Sequence, residues 1–362
     1  MTEEELKQLL NRIPQADGAA VREACKRQAM LAKPPGSLGS LEEIAVRLAG
    51  ITGSVCSRIG HPHIMVFAAD HGVTEEGVSS APQSVTLQQC LNMGRHKTGM
   101  SALAGYFHDE VTVVDVGIAA DGPWPGIVDR KIRKGSRNLY REPALTREEV
   151  LAAIEAGIET TQACIQAGAD AVGVGEMGIG NTTPSSAVLA ALLSETAEAV
   201  TGCGGGLTAD AFSKKRKVIA EALERHQPDR NDVVDVLSKV GGPELAAMTG
   251  AYLACALHRV PAVVDGFISI VTALCAVRLC PQVRDVLFLS HVSEERGYLL
   301  AQKELGLAAC LQLHMRLGEG SGCPLMFRVL EAACAVMCDM ATFDEGSIND
   351  DYLKPIREEG LF

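Results

Sequence analysis

Short apolar runs alternate with longer helical stretches through the middle of this chain, and this alternation constrains its fold more than any other feature. Five runs are short and apolar enough to be buried strands, at residues 64–69, 111–116, 171–174, 262–264 and 286–289. Stretches with helical character lie between them, at residues 147–167, 215–224, 243–259 and 268–279. Because parallel strands need long crossover connections, the pattern predicts an α/β fold built on a parallel sheet with crossover helices.

Polar residues and glycines follow every one of these predicted strands. They occupy residues 70–72, 115–117, 175–178, 265–266 and 290–291. In open, Rossmann-like parallel sheets, ligands bind beyond the carboxyl ends of the strands. We therefore expect the functional site to lie at this edge of the sheet.

The two ends of the chain read as helical rather than mixed. Thr2 and Glu5 have the spacing of a capping box, and helical periodicity returns at residues 19–31 and 41–51. We predict a helical part at residues 1–55, an α/β catalytic domain at residues 56–322, and a second helical part at residues 323–362. The two helical parts are expected to pack together as one small domain.

Composition and charge exclude several classes of function. With 33 basic and 45 acidic residues the net charge is −12, whereas binding to nucleic acid needs a basic face. No run of about 18 uncharged apolar residues occurs, so no membrane span is expected. The acidic residues 3–5 do not match a signal peptide, and the 12 cysteines include no Cys-x-x-Cys pair. A reduced cytoplasmic protein is predicted.

The glycine-rich segment at residues 175–185 is the most informative motif. It follows a predicted strand and opens a helix, for which Thr183 is the predicted N-cap and Pro184 the first helical residue. Free amides at such a helix start suit a phosphate group, although an ordinary glycine-rich turn is the alternative. The spacing of neither a P-loop nor a dinucleotide fingerprint is present.

Other segments each allow two interpretations. The glycine loop at residues 201–207 is either a second phosphate cradle or a hinge, and Cys203 within it is either reactive or incidental. The basic residues 214–217 either supply a cation or form a solvated helix start. Asp70 and His71 could serve a metal or catalysis, but no histidine or cysteine cluster supports a metal site. Glu319 is either a charge at a helix N-terminus or a catalytic base.

Taken together, segments along nearly the whole chain resemble one enzyme family. They are residues 33–39, 68–72, 175–183, 240–248, 265–269, 290–291 and 316–320. The resemblance is to nicotinate-nucleotide–dimethylbenzimidazole phosphoribosyltransferases, which make the lower ligand of cobalamin. It implies a parallel α/β domain, a small helical domain built from both termini, and a homodimer.

The resemblance also implies a reaction. Ribose 5-phosphate moves from nicotinate mononucleotide to 5,6-dimethylbenzimidazole or a related base, giving α-ribazole 5′-phosphate and nicotinate without a metal or other cofactor. Glu319 is expected to be the base and Glu176 a second catalytic carboxylate. The phosphate or ribotide is expected to contact Gly178, Gly180, Asn181, Thr182, Gly204, Lys215 and Ser293. The aromatic base is expected to contact Ser80, Gln88 and Leu317.

The chain departs from the family pattern at a few positions. Ala81 stands where an aromatic residue is common, and residues 87–90 lack the usual aromatic residue and methionine. Cys203 and Gly205 replace an arginine and a threonine that are common there. These changes bear on the preferred base more than on the type of reaction. A nucleotide sensor without turnover and a metal-dependent hydrolase using Asp70 and His71 are the competing hypotheses.

Overall fold

The fold centres on one parallel β-sheet, seen in a computed structural model that describes residues 1–355. Its strand order is β3-β2-β1-β4-β5-β6-β7, and every neighbouring pair is parallel. The strands are β1 (Pro62–Ala69), β2 (Glu110–Gly117), β3 (Ile127–Asp129), β4 (Ala171–Met177), β5 (Ala262–Val264), β6 (Leu287–His291) and β7 (Ala309–Leu311). The predicted α/β fold class is confirmed.

Helices connect the strands and cover both faces of the sheet. The α-helices of the described residues are α1 (Glu3–Leu10), α2 (Gly18–Met30), α3 (Ser40–Thr52), α4 (Ser84–Met93), α5 (Gly99–Phe107), α6 (Arg147–Gln166), α7 (Thr182–Leu193), α8 (Ala197–Val200), α9 (Ala209–His226), α10 (Val233–Val240), α11 (Pro243–His258), α12 (Phe267–Leu279), α13 (Gly297–Leu305) and α14 (Cys323–Asp339). Short 3-10 helices occupy Gly72–Glu76, Pro281–Val286 and Asp351–Leu353.

All five predicted strands are present, but two edge strands were not predicted. Each of these, β3 and β7, is three residues long. Such a segment is too short to show the alternation by which a strand is recognised, and its edge position leaves it half-exposed. The predicted capping box is also confirmed, since Thr2 Oγ1 accepts a hydrogen bond from the backbone N–H of Glu5 and the Glu5 carboxylate accepts from Thr2 N–H.

Small residues let helices α6 and α11 pack with their backbones almost in contact. A Cβ atom at Gly157 would lie 1.9 Å from the carbonyl oxygen of Ala247, and one at Gly250 would lie 2.1 Å from that of Ile154. Neither position can hold a side chain without moving a helix. This close pair lies against β1 and β2 and so braces the centre of the sheet.

The strand order reverses direction at the centre of the sheet. From β1 the chain moves outward through β2 and β3, and from β4 it moves outward the other way through β5, β6 and β7. Crossover connections therefore leave β1 and β4 on diverging paths, which opens a crevice beyond their carboxyl ends. Asp70 and His71 follow β1 directly, and Glu176 lies at the end of β4.

Residues from both ends of the chain pack together. Arg27 Nε donates to the carbonyl of Met337 at 2.6 Å, and Arg58 pairs with Asp339. Helix α14 contacts α3, but it also packs on β4, β5 and β6. The division at residues 55 and 322 stays a prediction, and residues 356–362 of the predicted C-terminal part lie outside the described residues. Within residues 1–355 no helix is long and apolar enough to span a membrane.

Candidate active site

A cavity of about 290 Å³ opens at the carboxyl edge of the sheet, where the sequence predicted the site. Its walls come from the segments that follow β1, β4, β5 and β6, together with the glycine loop after α8 and the loop before α14. The size approaches the lower end of the range for small-molecule sites, roughly 300–1,000 Å³. The lining residues that the argument uses are Ser80, Ala81, Gln89, Glu176, Gly178, Gly180, Asn181, Thr182, Gly204, Lys215, Asp265, Ser293, Glu295, Leu317 and Glu319.

Glu319 lies on the loop before α14, and its carboxylate is held by two helices. Its Oε1 accepts from the side-chain amide of Gln89 at 3.3 Å, and its Oε2 accepts from the backbone N–H of Met100 at 3.2 Å. Met100 is in the first turn of α5. The charge therefore complements the N-terminus of α5 and not that of the helix that follows it in sequence.

Glu176 is the second carboxylate of the cavity and is almost fully buried. Its Oε1 accepts from the backbone N–H of Glu319 at 3.3 Å, and its Oε2 accepts from the side-chain amide of Asn181. Burial raises the pKa of Glu176 to about 8, and the nearby charge of Asp265 acts in the same direction. This side chain consequently keeps its proton at neutral pH in the free protein.

The glycine-rich segment does open a helix, but two residues earlier than predicted. Helix α7 begins at Thr182 with Asn181 as its N-cap, so Thr183 is not the cap and Pro184 is the third helical residue. Proline is tolerated there because N–H groups of the first turn have no intrahelical acceptor. The Asn181 side chain bonds to Glu176, and no side chain caps the helix start.

Two glycines of this segment cannot be replaced without displacing their neighbours. A Cβ atom at Gly178 would lie 2.4 Å from the carbonyl oxygen of Ala69. At Gly180 the backbone φ is +89°, and a Cβ atom would lie 2.7 Å from the Thr74 methyl group. The segment is therefore pressed against the end of β1, and its backbone forms part of the cavity wall.

Lys215 reaches the start of α7 from helix α9. It is fully buried, and its Nζ donates to Thr182 Oγ1 at 2.8 Å and to the carbonyl of Gly202 at 3.3 Å. Burial lowers the pKa of Lys215 to about 8, and the Glu295 charge opposes that shift. An ammonium group, a helix start and a glycine loop thus meet in one corner of the cavity, which is an arrangement suited to a phosphate.

The glycine loop is held in place by a carboxylate. Gly204 has φ +55°, and its backbone N–H donates to Glu295 Oε1 at 2.9 Å. Glu295 follows β6 closely and lines the cavity near Ser293. Burial raises the pKa of Glu295, and the Lys215 charge opposes that shift. The glycine loop at residues 201–207 is thus anchored at Gly204 and forms part of the cavity wall.

Asp70 and His71 take part in buried contacts at the end of β1. His71 Nε2 lies 2.7 Å from Glu244 Oε1, and both side chains are fully buried. Burial alone would lower the pKa of His71, but the Glu244 carboxylate outweighs it and the pKa is raised. Asp70 Oδ2 accepts from the backbone N–H of Ala119 at 2.8 Å. Residues 1–355 contain no group of three or more side chains suited to a metal ion.

The structure brings the predicted site residues together with one exception. Gln88 is exposed and does not line the cavity, whereas its neighbour Gln89 does and contacts Glu319. Successive residues of helix α4 point about 100° apart, so only one of the two can face inward. Glu295 and Asp265 also line the cavity, and neither was predicted to be a site residue. Asp265 was noted as following a strand, which was the available signal.

Comparison with known proteins shows the class to which this protein belongs. A family model described as phosphoribosyltransferase matches residues 13–348. The protein is therefore an enzyme of the phosphoribosyltransferase class, a pentosyltransferase.

Individual relatives define the family more narrowly. The chain is 48% identical over 357 residues to the nicotinate-nucleotide–dimethylbenzimidazole phosphoribosyltransferase of Clostridium perfringens (strain 13 / Type A), and the match covers 99% of both chains. The enzyme of the same name from Desulforudis audaxviator is 46% identical over 345 residues, covering 95% of this chain and 98% of the relative. The solved structure of CobT from Thermus thermophilus superposes with a TM-score of 0.89 at 41% identity, covering 92% of this chain and 99% of that one.

These matches span nearly the full length of this chain and of each relative. The chain belongs to the nicotinate-nucleotide–dimethylbenzimidazole phosphoribosyltransferase family, which acts in the synthesis of the cobalamin lower ligand. The family and the enzyme class that the sequence motifs predicted are both confirmed.

Proposed function

We propose that this protein transfers ribose 5-phosphate from nicotinate mononucleotide to 5,6-dimethylbenzimidazole or a related base, releasing nicotinate. The observation that carries the proposal is that one cavity holds both parts of the required machinery. A buried ammonium group, Lys215, stands beside the start of α7, and a carboxylate, Glu319, lines the same space.

The chemistry needs little activation of the leaving group. The pyridinium nitrogen of the donor already carries a positive charge, so it departs with the bonding electrons as the C–N glycosidic bond breaks. One ring nitrogen of the benzimidazole forms the new bond to the ribose carbon that nicotinate leaves. The N–H of the other ring nitrogen loses its proton. Attack from the face opposite nicotinate converts a β-riboside into an α-riboside. A single base that accepts that proton completes the balance.

We assign the base to Glu319. Four carboxyl groups line the cavity. Glu176 is mostly protonated at neutral pH because its pKa is raised to about 8, and Asp265 and Glu295 accept hydrogen bonds from backbone N–H groups of the loops that they hold. The Glu319 carboxylate is fixed by Gln89 and by the N-terminus of α5, so it presents a defined geometry to an incoming ring. Two carboxylates in different surroundings thus take different tasks.

The donor phosphate is assigned to the corner around Lys215. Backbone groups of Gly178, Gly180 and Gly204, with the side chains of Asn181 and Thr182, line the wall around that ammonium group. Ser293 lines the same cavity and offers a hydroxyl group. A phosphate placed there gains a charge-assisted hydrogen bond from Lys215 and the favourable dipole of α7.

The aromatic base is assigned to the wall formed by Ser80, Ala81, Gln89 and Leu317. Leu317 is 57% exposed and supplies an apolar surface at the cavity wall. Gln89 replaces Gln88 in this assignment because Gln89 faces the cavity and bonds to Glu319. The small Ala81 leaves room where an aromatic side chain is common in the family.

We further propose that the chain acts in the cytoplasm as a homodimer. All 12 cysteines are free thiols, which suits a reducing compartment. The homodimer follows from the family resemblance, and light scattering during size-exclusion chromatography tests it. A monomer of 38.2 kDa at micromolar concentration would contradict it.

The decisive experiment is incubation of the purified protein with nicotinate mononucleotide and a panel of benzimidazoles, with products separated by chromatography. We expect equimolar nicotinate and α-ribazole 5′-phosphate that depend on both substrates. Binding of the mononucleotide without any turnover would instead support a nucleotide sensor. Loss of turnover in the presence of a chelator would support the metal-dependent alternative.

A further inference from the structure

The backbone of the loop that carries Glu319 is held in an uncommon conformation. Gly318, Glu319 and Gly320 have φ angles of +83°, +64° and +86°. Glycine adopts such values freely, but a residue with a side chain does so only where its surroundings enforce them. The direction in which the Glu319 side chain leaves the backbone therefore depends on whatever fixes this loop.

Two buried carboxylates from neighbouring strands hold the loop through its N–H groups. Asp265 Oδ2 accepts from Gly320 N–H at 3.1 Å, and Asp265 Oδ1 accepts from Gly322 N–H at 2.7 Å. Glu176 accepts from Glu319 N–H at 3.3 Å, as described above. Asp265 thus makes two of the three contacts and spans the loop from Gly320 to the residue before α14.

Asp265 is itself firmly seated on the sheet. It follows β5 directly and is 1% exposed. Its backbone N–H donates to Ser269 Oγ at 3.0 Å, and its carbonyl accepts from Ser290 Oγ at 3.0 Å. The nearest positively chargeable group is His291, whose Nδ1 lies 3.9 Å from Asp265 Oδ1. The carboxylate therefore has the loop amides as its main partners, in a position set by β5 and β6.

We propose that Asp265 is a positioning residue for the reaction: it anchors residues 318–322 to the sheet so that the Glu319 carboxylate is held between α4 and α5, ready to accept the proton. This inference rests on the proposed function and adds to it a residue that acts through Glu319. Displacing a reacting group by about 1 Å can lower a rate roughly 100-fold, so the anchor matters even without contact with substrate.

The test is a double-mutant cycle of Asp265→Asn with Glu319→Gln in the full-length enzyme, with kcat and both KM values measured. Asparagine has the same shape, but its amide group can accept from only one of the two N–H groups. Ser238→Ala is the matched control, because Ser238 is buried on α10, its hydroxyl donates to the carbonyl of Leu145 at 2.8 Å, and it does not line the cavity. Asp265→Ser is the second variant should Asp265→Asn fail to fold.

We expect Asp265→Asn to lower kcat about 10- to 100-fold and to leave both KM values within about twofold. In the Glu319→Gln background the same change should lower kcat less than about threefold, because the group being positioned is already gone. The control should lower Tm with kcat unchanged. Equal losses in both backgrounds, or a raised KM for the mononucleotide, would overturn the positioning role. A wild-type enzyme that forms no ribotide would instead show that the proposed function itself is wrong.

Discussion

Replacing Glu319 by glutamine separates a catalytic role from a structural one, because the substitution changes chemistry more than shape. The glutamine carbonyl can still accept from Met100 N–H at the start of α5. Its amide nitrogen then faces Gln89, whose own amide can rotate to present an oxygen. Both contacts that now hold the carboxylate, at 3.2 Å and 3.3 Å, can therefore persist. What is lost is a negative charge and the ability to accept a proton.

The two roles predict effects of very different size. A charge at a helix N-terminus contributes about 0.3–1 kcal/mol, and in a chain of this length that corresponds to a fall in Tm of only a few degrees. A general base contributes about 10²–10⁴-fold to the rate. We therefore expect Glu319→Gln to lower kcat by about 10²–10⁴-fold, with KM for each substrate nearly unchanged and Tm lowered slightly.

Steady-state kinetics with nicotinate mononucleotide and dimethylbenzimidazole measure kcat and KM. A thermal melt of the same preparation measures Tm. Glu224→Gln, on the outer part of α9 and away from the cavity, controls for the loss of a carboxylate as such. A variant that keeps its full rate while Tm falls would refute the assignment of Glu319 as base and leave it as a helix charge only.

Other substitutions test the remaining assignments. Because the folded pKa of Glu176 is raised from 4.5 to about 8, the stability that its proton provides is full below pH 4.5 and is lost as pH rises to 8. The Tm of wild type relative to Glu176→Gln should therefore fall between about pH 4.5 and pH 8 and stay level above it. Since the pKa of Lys215 is lowered to about 8, the KM for the mononucleotide should rise above that pH. Lys215→Met should raise this KM about 10- to 100-fold below pH 8, as expected for a lost charge-assisted bond, and by a smaller factor above it, where wild type has also lost the charge. Ala81→Tyr should favour one benzimidazole over others by about 2- to 12-fold, the value of an aromatic contact; identical relative rates in both proteins would refute this.

The sequence alone predicts those strands and helices whose own residues show a clear apolar pattern. Buried strands such as Ala171–Met177 are continuous apolar runs, and long helices such as Arg147–Gln166 show helical periodicity, so both could be predicted. The three-residue strands β3 and β7 have too few residues for any pattern. The start of α7 was predicted two residues too late, because its N-cap, Asn181, makes no side-chain capping bond and instead donates to Glu176.

Single side chains of the site also show where prediction from the sequence stops. Eleven of the twelve predicted site residues line the cavity, and the exception is Gln88, which was predicted where its neighbour Gln89 faces the cavity. Both are glutamines, so residue type cannot separate them. Only the rotation of α4 against the sheet decides which side chain reaches Glu319. Asp265 was found as a residue after a strand, but its partners lie 55 and 57 positions away in the chain.

The different surroundings of Glu176 and Glu319 follow from the same long-range contacts. Glu176 and Glu319 are 143 positions apart, and nothing in the sequence around Glu176 predicts its raised pKa. Burial at the end of β4 and the neighbouring charge of Asp265 keep the proton on Glu176, whereas Glu319 is held by N–H donors of two helices. In our proposal Glu176, which is mostly protonated at neutral pH, is therefore not the proton acceptor. Glu176 accepts a hydrogen bond from Glu319 N–H and so helps to hold the Glu319 loop in place. In this proposal one carboxyl group positions the loop and the other accepts the proton, because the fold places each in a different environment.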